Sequence, residues 1–188
     1  MENRVIEFGY SSNLGGVEVF IKNIIMNTSI PIDLVATTQD KIPFEDEFVA
    51  KGSRIFRIPN RRSAPMEYKR NIENILREHP EIKAAHVHLN SCSSIEALEA
   101  ARKVGVRCIA HSHSSNSNFN RLTRALHTLN KKRMNKLSII SKRGATIKRP
   151  ESVTRSFSMP VGRLATQVLL SLLRRLRSPR SKETPETR

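Results

Sequence analysis

The chain has 188 residues, a hydrophobic content of 38% and a net charge of +16, which is enough for one ordinary domain with a buried core. It contains no run of about eighteen apolar residues, and its start, MENRVIEFGY, lacks the apolar segment of a secretory signal. The sequence therefore predicts neither a membrane-spanning helix nor export. Two cysteines without a CxxC pair are too few for a disulfide framework or a cysteine zinc site, which predicts a reducing, cytoplasmic setting.

The charge is concentrated in the last third of the chain. Residues 1–120 carry 15 Lys and Arg against 14 Asp and Glu, whereas residues 121–188 carry 18 against 3. The first part therefore has the balance of an ordinary near-neutral domain. Within the basic part, residues 119–137 and 161–177 have amphipathic helical spacing, and the final RSPRSKETPETR has a composition typical of disorder.

A glycine turn joins the first predicted strand to the first predicted helix. Residues 5–8 have an apolar strand pattern, and the polar turn after them closes on Gly15 and Gly16 before an amphipathic helix over 17–25. Such a turn is a natural anion site, because free backbone N–H groups point outwards and the helix dipole favours negative charge. The alternative is a tight strand–helix turn without a ligand. Glu18 lies in the first helical turn, where the dipole alone explains it.

Strands and helices alternate through the following hundred residues. Two β-branched runs, 30–38 and 53–60, predict buried parallel strands with a short helix-like piece between them. The other predicted elements are a helix over Met66–His79, a strand over Lys83–Leu89, a helix over Ile95–Val104 and a strand over Arg107–His111. This alternation predicts an α/β fold, a Rossmann-like parallel sheet with helices on both faces. We expect the domain to span residues 1–138, followed by a basic, largely disordered or loosely helical tail over 139–188.

Three polar loops follow predicted strands, over 11–16, 90–94 and 112–118. Ligands of parallel α/β sheets bind beyond the carboxyl ends of the strands, so these loops are expected to converge on a site.

Four histidines accompany the fourth and fifth predicted strands. His86 and His88 alternate with apolar residues, which predicts that one of them faces the core and is simply hydrogen-bonded. His111 and His113 have the spacing of half a metal site, but no Asp or Cys cluster matches them, so no metal is predicted.

Four segments, taken in order, resemble the N-terminal half of a GT-B glycosyltransferase: GGVEVFIKNII, GSRIFRIPNRRSAPMEY, VHLNSCSSIEALEAARKVGV and IAHSHSSN. They are similar to the large retaining family that includes bacterial exopolysaccharide and capsule enzymes, and the resemblance covers residues 1–138. Their order and spacing make the resemblance specific, which Gly-Gly-x-Glu by itself is not. It implies a Rossmann-like domain on the acceptor side of a cleft between two such domains.

The resemblance also implies roles for individual residues. Gly15 and Gly16 match the turn that reaches the donor diphosphate. His88 matches a position at the end of the fourth strand, Asn90 follows it in the predicted binding loop, and His113 matches the catalytic histidine near the transferred sugar. A neutral imidazole can accept a hydrogen bond from a sugar hydroxyl, and backbone N–H groups can neutralise a departing diphosphate. No catalytic metal and no cofactor are expected.

The implied function is transfer of a sugar from a nucleotide-sugar donor to a polysaccharide or lipid-linked acceptor. Such enzymes continue into a second Rossmann-like domain, whose donor-binding pair of glutamates has no counterpart after residue 138. We therefore expect an incomplete form that lacks the donor domain, binds nucleotide sugars weakly and is inactive alone, since catalysis depends on positioning both reactants. The tail is interpreted as a sequence read out of frame or brought in at a rearranged junction.

A non-catalytic basic module is the chief alternative function. The tail would then bind anionic membrane or nucleic acid, and its amphipathic segments favour a membrane surface, because no zinc finger or RNA-binding signature is present. The chain would be peripheral at the inner face of the membrane, with no specific nucleic acid bound. A flavodoxin-like or dehydrogenase domain is disfavoured by the lack of GxGxxG after the first strand.

Overall fold

A computed structural model describes residues 2–89, 95–113, 127–134 and 139–142. The strands are β1 (Arg4–Phe8), β2 (Ile32–Ala36), β3 (Ile55–Arg57), β4 (Ile82–Leu89), β5 (Arg107–Ser112) and β6 (Ile139–Lys142). The helices are α1 (Gly16–Met26), α2 (Glu45–Ala50), α3 (Pro65–Glu78) and α4 (Glu96–Lys103), and residues 127–134 are also helical. None of the helices in these described ranges is long and apolar enough to cross a bilayer.

The six strands form one parallel sheet in the order β3-β2-β1-β4-β5-β6. The chain builds outwards from β1 to β3, returns through α3, and then builds outwards on the other side of β1. This confirms the predicted α/β, Rossmann-like sheet. Because the direction of winding reverses between β1 and β4, the carboxyl ends of these two strands flank a topological switch point, where open α/β sheets bind ligands.

The core is built by strands that are buried on both faces. Val5, Ile6 and Phe8 of β1 are at most 1% exposed, as expected for a central parallel strand covered by helices. On one face, α3 contributes Ile72 and Leu76, one helical turn apart, to the main hydrophobic cluster. The helical spacing predicted for α3 therefore holds, and β1 and β2 show the continuous burial expected of parallel strands covered on both faces.

A buried carboxylate joins β1, β2 and the segment before β3. The Asp33 side chain is fully buried, and its two oxygens lie 2.6 Å from nitrogens of Arg4 and Arg54. Burial by itself raises the pKa of Asp33, but the hydrogen bonds from the two guanidinium groups outweigh it and lower that pKa. Asp33 is therefore ionised at neutral pH and ties three neighbouring parts of the sheet together.

The sheet continues past residue 138, where the sequence predicted the domain to end. Strand β6 pairs with β5 through Ile109↔Ile139, Ala110↔Ile140, His111↔Ser141 and Ser112↔Lys142. Its β-branched start, Ile139-Ile140, is the composition that a parallel strand favours. Residues 139–142 thus belong to the sheet and not to a tail, and the rest of the predicted tail, 143–188, lies outside the described residues.

Candidate functional site

The candidate site lies at the switch point, where β1, β4 and β5 end. Strand pairing sets Glu7 of β1 beside His86 of β4, and His88 beside His111 of β5. His113 follows β5 directly, and its N–H donates to the Leu89 carbonyl oxygen at 3.0 Å. A carboxylate and four imidazoles therefore meet at one edge of the sheet, where chemistry that needs several polar groups can be assembled.

Glu7 is the buried centre of this group. Its side chain is fully buried, and Oε2 lies 2.8 Å from Nε2 of His88 and 2.9 Å from Nδ1 of His86. Burial raises the pKa of Glu7, but the two histidines outweigh it and lower that pKa to about 2. The ionised carboxylate only accepts hydrogen bonds, so both ring nitrogens must donate to it.

The hydrogen bonds to Glu7 determine the tautomer of His88 and, through it, that of His113. Burial and the nearby His86 lower the pKa of His88 to about 4, so its ring is neutral at pH 7. With Nε2 protonated towards Glu7, Nδ1 of His88 is an acceptor, and it lies 2.7 Å from Nε2 of His113. His113 therefore donates from Nε2, and Nδ1 of a neutral His113 ring is an acceptor.

Phe20 connects the histidines to the helix that follows the glycine turn. Its ring meets those of His88, His111 and His113 edge-on, with centroid distances of 5.7, 5.0 and 5.7 Å. Since α1 begins at Gly16, Phe20 lies about one helical turn, roughly 6 Å along the axis, beyond the helix N-terminus. The glycine turn and the histidines are thus parts of the same region.

The glycine turn leaves room for a ligand beside Gly16. Gly15 precedes α1 without a side-chain cap, and the N–H groups of the first helical turn have no partner within the helix. A Cβ added at Gly16 would meet nothing within 4 Å, so the space beside it is open.

Glu18 holds the loop that leads to this turn. Its Oε1 accepts hydrogen bonds from the Ser11 N–H at 3.1 Å and from the Ser11 hydroxyl at 2.8 Å. The sequence suggested only a favourable interaction with the helix dipole, whereas the buried side chain anchors the strand–helix loop.

The predicted site residues fall into two groups. The structure brings His88 and His113 into direct contact and places Gly15 and Gly16 at the start of the helix that carries Phe20. Asn90, predicted to bind the donor or the acceptor, lies outside the described residues. Only one of His86 and His88 was expected to face the core, but both are buried and both donate to Glu7, because residues two apart in a strand share a face.

Sequence reasoning missed Glu7 and Gly9. Glu7 interrupts an apolar strand, and a charged residue that is buried in a strand requires a partner, which is the signal that could have found it. Gly9 has a φ of +95°, and a Cβ there would lie 2.6 Å from the carbonyl oxygen of His88. A glycine that directly follows a strand can mark a place where a neighbouring backbone approaches closely, and this is the signal that could have found Gly9.

Comparison with known proteins gives one relative by sequence. No protein-family model matches the chain. The chain is 28% identical over 119 residues to "Putative glycosyltransferase EpsF" of Bacillus subtilis (strain 168). The match covers 61% of this chain and 31% of the relative, so the chain spans about a third of the length of the protein it resembles.

One of the similar solved structures shows the same fold. The structure of Acinetobacter baumannii MurG superposes with a TM-score of 0.50 at 11% identity, covering 82% of this chain and 43% of that one. A leucoanthocyanidin reductase from Vitis vinifera, in complex with NADPH, gives a TM-score of 0.49 at 16% identity over 74% of this chain and 48% of that one. The sequence match and the shared fold together support a GT-B glycosyltransferase-like, Rossmann-like α/β domain.

Proposed function

We propose that this domain is the acceptor-side half of a glycosyltransferase that transfers a sugar from a nucleotide-sugar donor to a polysaccharide or lipid-linked acceptor. The hydrogen bond between His88 and His113 at the switch point carries the proposal, because it orients a histidine at the edge of the sheet where ligands of such folds bind. The sequence similarity to a protein described as a glycosyltransferase supports it. A donor-side domain is needed to complete the site, and the described residues do not include one.

His113 is proposed to contact the transferred sugar. Glu7 and His88 hold its ring in the tautomer with Nε2 protonated, so that Nδ1 can accept a hydrogen bond from a sugar hydroxyl. Glu7 and His88 are then positioning residues, because they act through His113 and do not need to touch the substrate themselves. Such second-layer hydrogen bonds hold a reactive group in its productive orientation.

The glycine turn is proposed to receive the donor diphosphate. Backbone N–H groups at the start of α1 and the positive end of the helix dipole suit a phosphate oxygen, and the open space at Gly16 allows close approach. Glu18 binds Ser11 through Oε1, while its Oε2 lies 3.0 Å from the place that a Cβ would take at Gly15. The diphosphate contact is therefore assigned to the backbone N–H groups on the Gly16 side of the turn.

The test of His113 uses a complete enzyme, made by joining a relative's donor-side domain to this chain. We expect His113→Ala to lower kcat about tenfold or more, which corresponds to about 1.4 kcal/mol of lost transition-state stabilisation. The matched control is His79→Ala, because His79 lies outside the histidine group and contacts Arg54 and Glu81. Unchanged turnover in a folded His113→Ala enzyme would overturn the proposed role.

The glycine turn is tested in the same enzyme with Gly16→Val. Because the added side chain points into open space, we expect the fold to stay intact, while the side chain occupies the region assigned to the diphosphate. We expect a raised KM for the donor, with an unchanged urea midpoint. A folded variant that binds the donor normally would remove Gly16 from the site.

A contact with the membrane through the basic residues after the sheet is proposed as an addition to this function. It rests on the excess of 11 Lys and Arg over 3 acidic residues in 143–188. Deletion of 143–188 retains β6 and is expected to abolish sedimentation with anionic phosphatidylserine vesicles. Sedimentation that survives the deletion would place the lipid contact in the sheet domain.

A further inference from the structure

The strongest feature without an assigned role is a set of three buried imidazoles close to His113. His86, His88 and His111 each offer a ring nitrogen, and these nitrogens all lie within 4.8 Å of one another. The rings stand on the adjacent strands β4 and β5, with centroids 4.2 to 5.5 Å apart. We propose that His86, His88 and His111 form a binding site for a late first-row divalent ion such as Zn²⁺.

The donor set suits this class of ion. Imidazole nitrogen is a preferred ligand of zinc, nickel and copper, and three histidines with an open fourth position form a complete protein ligand set for zinc. Bonds of about 2.0–2.1 Å in a tetrahedral arrangement place the nitrogens roughly 3.4 Å apart. Closing from 4.8 Å therefore requires ring shifts of about 1 Å, which rotation about the side-chain bonds can supply.

Glu7 has the position of a carboxylate behind the ligands. It accepts hydrogen bonds from His86 Nδ1 and His88 Nε2, and metal-bound histidines characteristically donate their second ring nitrogen to a carboxylate. Its negative charge also offsets part of the charge of a divalent ion in a buried place. The sequence predicted no metal because it paired His111 with His113 and found no matching Asp or Cys cluster, whereas the fold supplies His86, His88 and Glu7.

Ion binding changes the hydrogen bonds of His88. Both ring nitrogens of His88 are used, Nε2 by Glu7 and Nδ1 by His113, so coordination through Nδ1, which keeps the bond to Glu7, replaces the bond to His113. The ion-bound state and the Glu7–His88–His113 chain are therefore alternative states of the same residues. A divalent ion of this class is expected to inhibit any reaction that depends on an oriented His113.

The proposal is tested by titrating the full, tag-free chain with Zn²⁺ while recording ¹H–¹⁵N spectra of the histidine rings. We expect saturation at one ion per chain, with shifts of the ring nitrogens of His86, His88 and His111 and none for His79. A Co²⁺ titration should give the visible absorption of a tetrahedral site. His111→Asn is expected to weaken binding about tenfold or more, and His79→Asn to leave binding unchanged.

Two results would overturn the site. One is the lack of saturable binding by the folded wild-type chain, and the other is binding that leaves the three ring signals unmoved. Both readouts use the wild-type protein, so they decide the matter even if His111→Asn does not fold. Neither result bears on sugar transfer, which the joined enzyme tests without added metal.

Discussion

At the scale of single residues, Gly9 determines how closely β1 and β4 approach at the site. Its φ of +95° is strained for any residue with a side chain, and its Cβ would press on the His88 carbonyl oxygen at 2.6 Å. We expect Gly9→Ala to lower the free energy of unfolding by roughly 2 kcal/mol or more, from backbone strain plus overpacking. Urea denaturation measures this change.

Gly52 provides the matched control for Gly9. Its φ of +87° is similar, but an added Cβ would meet nothing within 4 Å. Gly52→Ala should therefore cost only the strain, about 1 kcal/mol. Equal costs at the two positions would show that contact with His88 contributes nothing.

The histidine group shows which part of a site can be predicted from residues alone. His88 and His113 were identified through a family resemblance. Such a resemblance gives the position of a residue in the chain, but not the orientation of its side chain. Glu7 lies 81 residues before His88 in sequence, and only the placement of β4 beside β1 brings the two together. Local patterns contain no information about which strands become neighbours, so the partner of a buried charge stayed unidentified.

At the scale of elements, the loop between β1 and α1 depends on a single side chain. Glu18→Ala removes both hydrogen bonds to Ser11 and leaves the Ser11 N–H without that acceptor. Bonds to a charged acceptor contribute about 1.5–3 kcal/mol, and the dipole interaction alone about 0.3–1 kcal/mol. We expect Glu18→Ala to lower stability by roughly 2 kcal/mol and to accelerate hydrogen exchange at Ser11.

Glu67 separates the two explanations of Glu18. It is an exposed acidic residue in the first turn of α3, so Glu67→Ala removes a dipole interaction from a comparable position. A much smaller loss of stability in Glu67→Ala supports the loop contact. Similar losses of stability in the two variants would show that Glu18 acts only through the helix dipole, as the sequence suggested.

Helices were predictable because their buried faces repeat with the helical period, and strands because buried parallel strands are short, nearly continuous apolar runs. Helix α3, predicted over 66–79, spans Pro65–Glu78, and the strand predicted over 83–89 spans Ile82–Leu89. Strand β6 was missed as part of the domain, because four residues are too few to show a period and they lie next to a basic segment. Pairing with β5 supplies the information that the short sequence lacks.

At the scale of the whole molecule, Asp33 links stability to pH. Its pKa is lowered in the folded chain from an ordinary value of 3.8, so its stabilising effect is complete above that value. As the pH falls below about 4, protonation of the folded state removes this contribution. We expect Asp33→Asn to lower the free energy of unfolding by roughly 2 kcal/mol at pH 7, a loss that is limited because Arg4 and Arg54 are partly exposed. The stability of this variant should also decline less steeply as the pH falls.

The exposed pair Lys41–Asp46 is the control for this ion pair. The side chains of Lys41 and Asp46 are 63% and 82% exposed, so solvent screens their attraction. Asp46→Asn should leave both the urea midpoint at pH 7 and the acid decline unchanged. An Asp33→Asn protein with the acid profile of the wild type would show that other carboxylates govern the pH dependence.

The extent of the folded sheet can be measured by two shortened chains, one ending at residue 142 and one at 138. The shorter chain loses β6, which leaves the backbone groups along that edge of β5, the strand that carries His111, without their partners. Net hydrogen bonds of about 1 kcal/mol each predict a loss of roughly 2 kcal/mol relative to the chain ending at 142, seen as a lower urea midpoint. Faster hydrogen exchange should be confined to β5 and its neighbour β4. Identical midpoints for the two chains would instead place the end of the domain at 138, as the sequence predicted, and make β6 dispensable to the fold.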